Sequence, residues 1–320
     1  MDIKDIFNKY IEERIVSLES LEEGHINDTF LVETKSGKYV LQRLNERMDV
    51  EKLLYNYKLY SKAFDEYGML YPKWIEINEN KSAVYIYFFE DPEGQIWRLY
   101  TYIEGDTVKS NIDEDEAFSL GEGLAVLHNI MLTIKTEPKA VYPHLHDLER
   151  YYKLYRNCLH NEKLCKQENR SVRIEREIEG RIKLFLDNNY VNYQTVHGDP
   201  KLSNAIFRNG KVVGFIDMDT IMTGSIEEDL ADCIRSCCIH DGSFNHKLAK
   251  KIIEGYESVC FNDKNLDFKT AFEKRVDFSF EKICFELGLR YYTDAISNEH
   301  YFKGKSSEYL IKRAEELLFL

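Results

Sequence analysis

At 320 residues, with 43% hydrophobic and 13% aromatic side chains, the chain can bury a real core, as one large domain or two modest ones, and is not disordered. A formal net charge of -13 argues against nucleic acid or an anionic membrane as partner. No apolar run approaches the roughly 18 residues of a membrane span, and the amphipathic opening MDIKDIFNKYIEERI lacks a secretory apolar region.

Ile3, Ile6, Phe7, Tyr10 and Ile11 predict a short N-terminal helix. Alternating segments follow: RIVSLESLEE (14–23), TFLVET (29–34) and KYVLQRLN (38–45), the last two joined as a hairpin at Ser36-Gly37. A helix is predicted over 49–66, with Leu53, Leu54, Tyr57 and Tyr60 on one face. Strand patterns recur at 74–77, 83–89 and 96–104, the last two separated by the turn signal DPEG. Trp97 and Arg98 read as lobe packing and a surface pair. Beyond Gly105 the chain turns helical, near 114–131, 146–160, 171–189, 226–239, 245–258, 268–298 and 306–319. The expected fold is α+β, with a β-rich nucleotide-binding lobe over 1–104 and a larger helical lobe over 105–320. Cys237, Cys238 and His240 fall in an apolar helical pattern, so the cysteines read as buried free thiols and the compartment as reducing cytoplasm.

One β island interrupts the helices, VHGDPKLSNAIFRNGKVVGFIDMDT (196–220). It crowds acids and an amide beside apolar residues, which is costly unless a cation or a surface hairpin turning at Asn209-Gly210 accommodates them. Asp199 and Asn204 stand at the D-x-x-x-x-N spacing of the kinase catalytic loop, and KVVGFID then delivers Asp217. ATP brings several negative charges, so nearby carboxylates need a bridging Mg2+. Asn204 and Asp217 are hard oxygen donors for that ion. Asp199 is left to accept a hydroxyl proton and Lys201 to face the phosphoryl group, while His197 orients the loop. Asp219 is either a second metal ligand or a cap.

H-G-D-x-x-x-x-N, the later I-D-x-D and the acidic EEDLADCIRS (227–236) resemble the aminoglycoside phosphotransferase-like family of small-molecule kinases. That resemblance implies a bilobal protein-kinase-like fold and the use of ATP with magnesium. GHINDTFLVET, KYVLQRLNE, WRLYTYIEG, HGDPKLSN, IDMDTIMTGS and LGLRYYTDAISNEHYFKG together look like the N-acetylhexosamine 1-kinases, from about Gly24 to the C-terminus. The implied acceptor is the anomeric hydroxyl of N-acetylglucosamine or N-acetylgalactosamine. The alternatives are an aminoglycoside, choline or homoserine kinase of the same fold, and a nucleotide-binding pseudokinase.

The turn over Gly24–Thr29 sits where kinases place a phosphate-covering loop, so Asn27, Asp28 and Thr29 are candidate nucleotide contacts. Gln42 stands where V-A-I-K would place its lysine, followed by Arg43; Glu51 is its weak helix partner. Tyr102 and Ile103 fall at the inter-lobe hinge, whose backbone would meet adenine. Arg290 resembles a substrate-contacting arginine of the sugar kinases, with a salt bridge to Asp294 as the other reading. Tyr291, Tyr292, Tyr301 and Phe302 could stack on a sugar, and His144 and His146 shape the cleft or cap a helix. The sequence leaves the oligomeric state unknown.

Overall fold

A computed structural model of the chain describes all residues except 22–26, 79–85, 109, 162, 188–192, 261–265, 299–300 and 303. The first part is a twisted sheet built from β1 (Ser17–Leu21), β2 (Asp28–Glu33), β3 (Lys38–Arg43), β4 (Trp74–Ile75), β5 (Phe88–Glu90) and β6 (Ile96–Thr101). Its order is β1-β2-β3-β6-β4, with β5 also on β6, and every pairing is antiparallel. Alternation gives the sheet two faces. Val32, Leu41, Trp97 and Leu99 cover α1 (Ile3–Phe7), while Thr29, Gln42 and Arg98 turn the other way. The hairpin at Ser36-Gly37 and the Asp91–Gly94 turn form as predicted. Helix α2 (Val50–Tyr67) follows, capped by Asp49 accepting the amides of Glu51 and Lys52 at 3.1 Å and stopped by Gly68 at φ +76°.

The rest is mainly helical: α3 (Glu114–Leu132), α4 (Leu148–His160), α5 (Val172–Asp187), α6 (Ile226–Cys238), α7 (His246–Cys260), α8 (Leu266–Ile296) and α9 (Ser307–Leu318). Helices α3 and α7 touch backbone to backbone. A Cβ on Gly121 would stand 1.9 Å from the Ile252 carbonyl, and one on Gly255 1.9 Å from that of Phe118. Short strands thread this lobe. β7 (Asp106–Thr107) pairs with β9 (Ala205–Arg208), which pairs with β10 (Lys211–Phe215). Likewise β8 (Tyr193–Val196) pairs with β11 (Met222–Ser225), and β12 (Ile239–His240) with β13 (Ser243–Phe244). The β9–β10 turn puts Asn209 and Gly210 both at positive φ, so the predicted hairpin is present. One core spans α2, α3, α6 and α7, and a second joins α4, α5, α8 and α9. All seven cysteines are free and all but Cys260 are buried. Among the described residues, no helix is long and apolar enough to cross a membrane.

Candidate active site

The loop between β8 and β9 is held from beneath by one buried carboxylate. Asp229 of α6 accepts the amides of His197 at 2.8 Å and Gly198 at 2.9 Å. It also accepts His128 Nε2–H at 3.1 Å, and His128 Nδ1 accepts a hydrogen bond from the Tyr256 hydroxyl at 2.7 Å. His197 is fully buried and its Nε2 donates to the Ile216 carbonyl at 3.0 Å, which leaves Nδ1 to accept the Asp199 amide at 3.3 Å. His197 thus ties the Asp199 turn to the strand that leads to Asp217.

Asp199 emerges from this scaffold half-buried, its side chain 27% exposed. Lys201 Nζ donates to its Oδ2 at 2.6 Å, and Asn204 Nδ2 donates to its backbone carbonyl at 2.8 Å. Burial works against the Lys201 ammonium, but Asp199 and Asp217 together raise its pKa. Asn204 is buried, and among the described residues nothing donates to its Oδ1. Asp217 follows β10 in the left-handed region, φ +62°, and opens a 3-10 turn (Met218–Thr220). Solvent reaches Asp217, yet the cleft walls desolvate its carboxyl and, with Asp219 and Asp199 beside it, raise its pKa; Lys201 pulls the other way. Asn204 Oδ1 and the crowded Asp217 carboxylate suit a hard divalent cation, whose charge would relieve that repulsion. Among the described residues no group of three or more His, Cys, Asp or Glu is arranged to hold a metal. Such an ion would need phosphate oxygens or water to complete its shell.

On the sheet side, Thr29, Gln42 and Arg98 lie in register across β2, β3 and β6. Gln42 Nε2 donates to Thr29 Oγ1 at 3.1 Å, and Arg98 Nε donates to Gln42 Oε1 at 2.9 Å. Arg98 then crosses to the helical lobe, where Nη1 and Nη2 meet the two Asp219 oxygens at 2.8 and 2.6 Å. Arg98 is therefore not part of a surface pair: it is 4% exposed, because a guanidinium on the cleft face of a central strand is covered by Trp74, Tyr100 and Asp219. Trp97, on the opposite face, packs in the outer core and donates to Asp91 Oδ2 at 2.9 Å.

Asp28 and Arg43 are ion-paired to each other on that outer face, Arg43 over the Trp97 ring, so the structure does not bring them to Gln42. Asn27 is buried and its Oδ1 accepts the Asn45 amide at 2.8 Å, which fixes the turn. Gly24 lies outside the described residues. Glu51 is exposed on the first turn of α2. The Tyr102 amide donates to the Lys38 carbonyl at 3.2 Å, whereas the Ile103 backbone hydrogen-bonds to no described residue.

The helical side brings His146, which the sequence reading placed at the cleft or a cap, together with Glu286, Asp232 and Arg235, which it did not single out. His146, at φ +59°, donates from Nε2 to the Gly198 carbonyl at 2.8 Å, and its Nδ1 meets Glu286 Oε1 at 3.1 Å. Glu286 is 2% exposed and its Oε2 has no partner among the described residues. Asp232 pairs with Arg235 at 2.8 Å. Arg290 makes no ion pair among the described residues; it lies over the rings of Tyr151 and Tyr301 at 4.8 and 5.2 Å. Asp294 is not its partner, because it accepts the amides of Tyr301 at 2.5 Å and Phe302 at 3.1 Å. Tyr292 is buried away from the cleft, with its hydroxyl donating to Glu175 at 3.0 Å, and His144 pairs with Asp147 at 3.4 Å. Asp229, Asp232 and Arg235 all belong to the acidic stretch 227–236. Their three-residue spacing inside an apolar helix was the available signal.

The pattern of the phosphotransferase enzyme family matches residues 17–261. The homoserine kinase of Bartonella tribocorum is 24% identical over 261 residues, covering 81% of this chain and 76% of that protein. The homoserine kinase of Bartonella henselae is 23% identical over 264 residues, with the same coverages of 81% and 76%. Among solved structures, the gentamicin complex of APH(2")-IIa aligns with a TM-score of 0.63 at 20% identity, over 100% of this chain and 97% of that one. ADP-bound aminoglycoside phosphotransferase APH(2'')-Ib gives 0.61 at 19%, over 99% and 97%. The chain belongs to the phosphotransferase enzyme family and has its kinase-like α+β fold. It is an ATP-dependent phosphotransferase with a hydroxyl acceptor. The N-acetylhexosamine 1-kinases are not among these relatives, so the acceptor is a separate question.

Proposed function

We propose that the protein transfers the γ-phosphoryl group of ATP to the anomeric hydroxyl of an N-acetylhexosamine. The observation that carries the chemistry is the Asp199 carboxylate, open to the cleft, gripped by Lys201 at 2.6 Å and backed by Asn204. Asp199 orients the acceptor hydroxyl and takes its proton as the new oxygen–phosphorus bond forms. The bond from the γ-phosphorus to the bridging oxygen breaks, and ADP leaves with the electron pair. A loose transition state asks little basicity of the carboxylate, and an anomeric hydroxyl is more acidic than an ordinary alcohol. Lys201 then shifts its ammonium from Asp199 toward the arriving phosphate oxygens. Asn204 and Asp217 would hold magnesium, which neutralises charge on the phosphates. Thr29 and Gln42 face the phosphates from the sheet, and the Ile103 backbone, which bonds to no described residue, meets adenine.

Charge balance supports a neutral acceptor over a polycation. On the helical side Asp232 is paired with Arg235 and Glu286 with His146, and Arg290 adds a cation with no ion pair among the described residues. An aminoglycoside needs surplus carboxylate there. Arg290 and Glu286 offer a donor and an acceptor for an amide or ring hydroxyls, and Tyr151 and Tyr301 offer aromatic faces. The second reading is homoserine, favoured by the two relatives and by the suitability of Arg290 for a carboxylate.

The test is ADP release with N-acetylglucosamine, N-acetylgalactosamine, homoserine, choline and an aminoglycoside, followed by phosphorus NMR of the product. Turnover of a hexosamine to a 1-phosphate is expected. Turnover of homoserine without any hexosamine activity reverses the order.

A further inference from the structure

Protein kinases fix a sheet lysine against the phosphates through an ion pair with a glutamate on the following helix, and that pair and the metal-binding Asp must both be in place for transfer. This chain has neither partner in place: the sheet position is Gln42, and Glu51 is solvent-exposed. The chain does have a buried ion pair that runs from the sheet to the helical lobe. Arg98, one strand over from Gln42, holds both oxygens of Asp219 at 2.8 and 2.6 Å, and Asp219 lies two residues beyond Asp217. Arg98 and Asp219 are 4% and 5% exposed. Gln42 Oε1 takes two further donations from Arg98, at 2.9 and 2.5 Å, so the guanidinium is fixed at both ends.

We propose that Arg98 is a positioning residue that pins the Asp217 turn against the nucleotide sheet through Asp219. The inference rests on Asp217 serving the metal–nucleotide complex. It assigns Asp219 as a strut and not a ligand, because both of its oxygens are engaged by the guanidinium. The planar fork of arginine suits the task, since it satisfies a carboxylate and an amide oxygen at once. With both Asp219 oxygens held by Arg98, the turn carries Asp217 outward in the left-handed region at φ +62°.

Removing one partner strands a buried charge, and the variant can lose its fold. The set therefore includes Arg98→Met, Asp219→Asn, the double variant that removes both charges, and Arg98→Lys. Magnesium–ADP affinity is read by calorimetry and the magnesium dependence by titration, beside kcat and KM. Each folded single variant is expected to weaken magnesium–ADP binding by about 10–100-fold, the range for residues that orient a metal ligand. Acceptor KM stays constant, Arg98→Lys recovers part of the affinity, and the double variant is no worse than either single one. Normal magnesium–ADP affinity in the double variant, or a multiplicative defect, overturns the proposal. So does a loss of magnesium response confined to Asp219→Asn, which would make Asp219 a ligand. Asp217→Asn separates the two levels: if it leaves magnesium binding intact the proposed role of Asp217 fails, whereas a defect there with none in the Arg98 variants removes only the strut.

Discussion

Lys201 Nζ stands 2.6 Å from Asp199 Oδ2, two residues away along the same turn. The pair places the candidate proton acceptor and the candidate phosphoryl-binding cation within one hydrogen bond. Asp199→Asn keeps the size and the loop contacts but cannot take a proton. Its kcat should fall by about 10²–10⁴-fold, while ATP still raises the melting temperature. Lys201→Met should lower kcat more than it raises acceptor KM. Near-normal turnover in Asp199→Asn would remove Asp199 from the chemistry.

Gly198 stands at φ +85°, and a Cβ there would lie 2.4 Å from the Thr220 carbonyl. Its amide and carbonyl are both engaged, by Asp229 and by His146. Gly198→Ala is expected to cost roughly 1–2 kcal/mol from backbone handedness alone, before the clash with the Asp217 turn is relieved. Denaturant unfolding should report that loss, and kcat should drop with it, because relief of the clash separates Asp199 from Asp217. A variant of unchanged stability and activity would contradict this geometry.

Most predicted strands and helices recur because each carries its own period and punctuation: alternation into the Ser36-Gly37 turn, Asp49 before α2, Asn209-Gly210 between β9 and β10. Residues 83–85 of the predicted strand 83–89 lie outside the described residues, and its observed part is Phe88–Glu90, while His240, read within a helix, lies in β12. The clustering of Asp199, Asn204 and Asp217 was legible for a related reason, since they lie within 19 residues of one another. What stayed hidden depends on pairings far apart in sequence. Arg98 and Asp219 are separated by 121 positions, and His146 and Glu286 by 140. Nothing local tells a strand arginine which face will be covered. Arg43 shows the converse. Its neighbour Gln42 faces the cleft, so strand alternation sends Arg43 to the outer face, where Asp28 takes it.

Arg290 lies over Tyr151 and Tyr301 without a carboxylate partner among the described residues. Burial alone would weaken the charged form, but the neighbouring Tyr151 and Glu286 raise its pKa, so the guanidinium keeps its charge for a ligand. Arg290→Gln should raise acceptor KM by about tenfold or more, equivalent to one lost hydrogen bond to a charged group, and leave ATP KM unchanged. A parallel rise in both constants would mean that the substitution disturbs the lobe as a whole.

His146 and Glu286 give the cleft a predictable pH response. Burial would lower the imidazole pKa, but the Glu286 carboxylate, with Asp232 of α6 also close, overrides it and lifts the value to about 10. The unfolded chain returns the group to 6.5. A folded pKa above the unfolded one means that the imidazolium contributes stability fully below 6.5 and loses that contribution as pH rises through about 10. Wild-type protein should therefore lose melting temperature over this window faster than Glu286→Gln, in which the lifting charge is gone. Comparing the two cancels the lysines, tyrosines and thiols that titrate in both. NMR of the His146 ring would follow the same event directly, and a midpoint near 6.5 in the folded wild type would show that Glu286 does not hold the proton there.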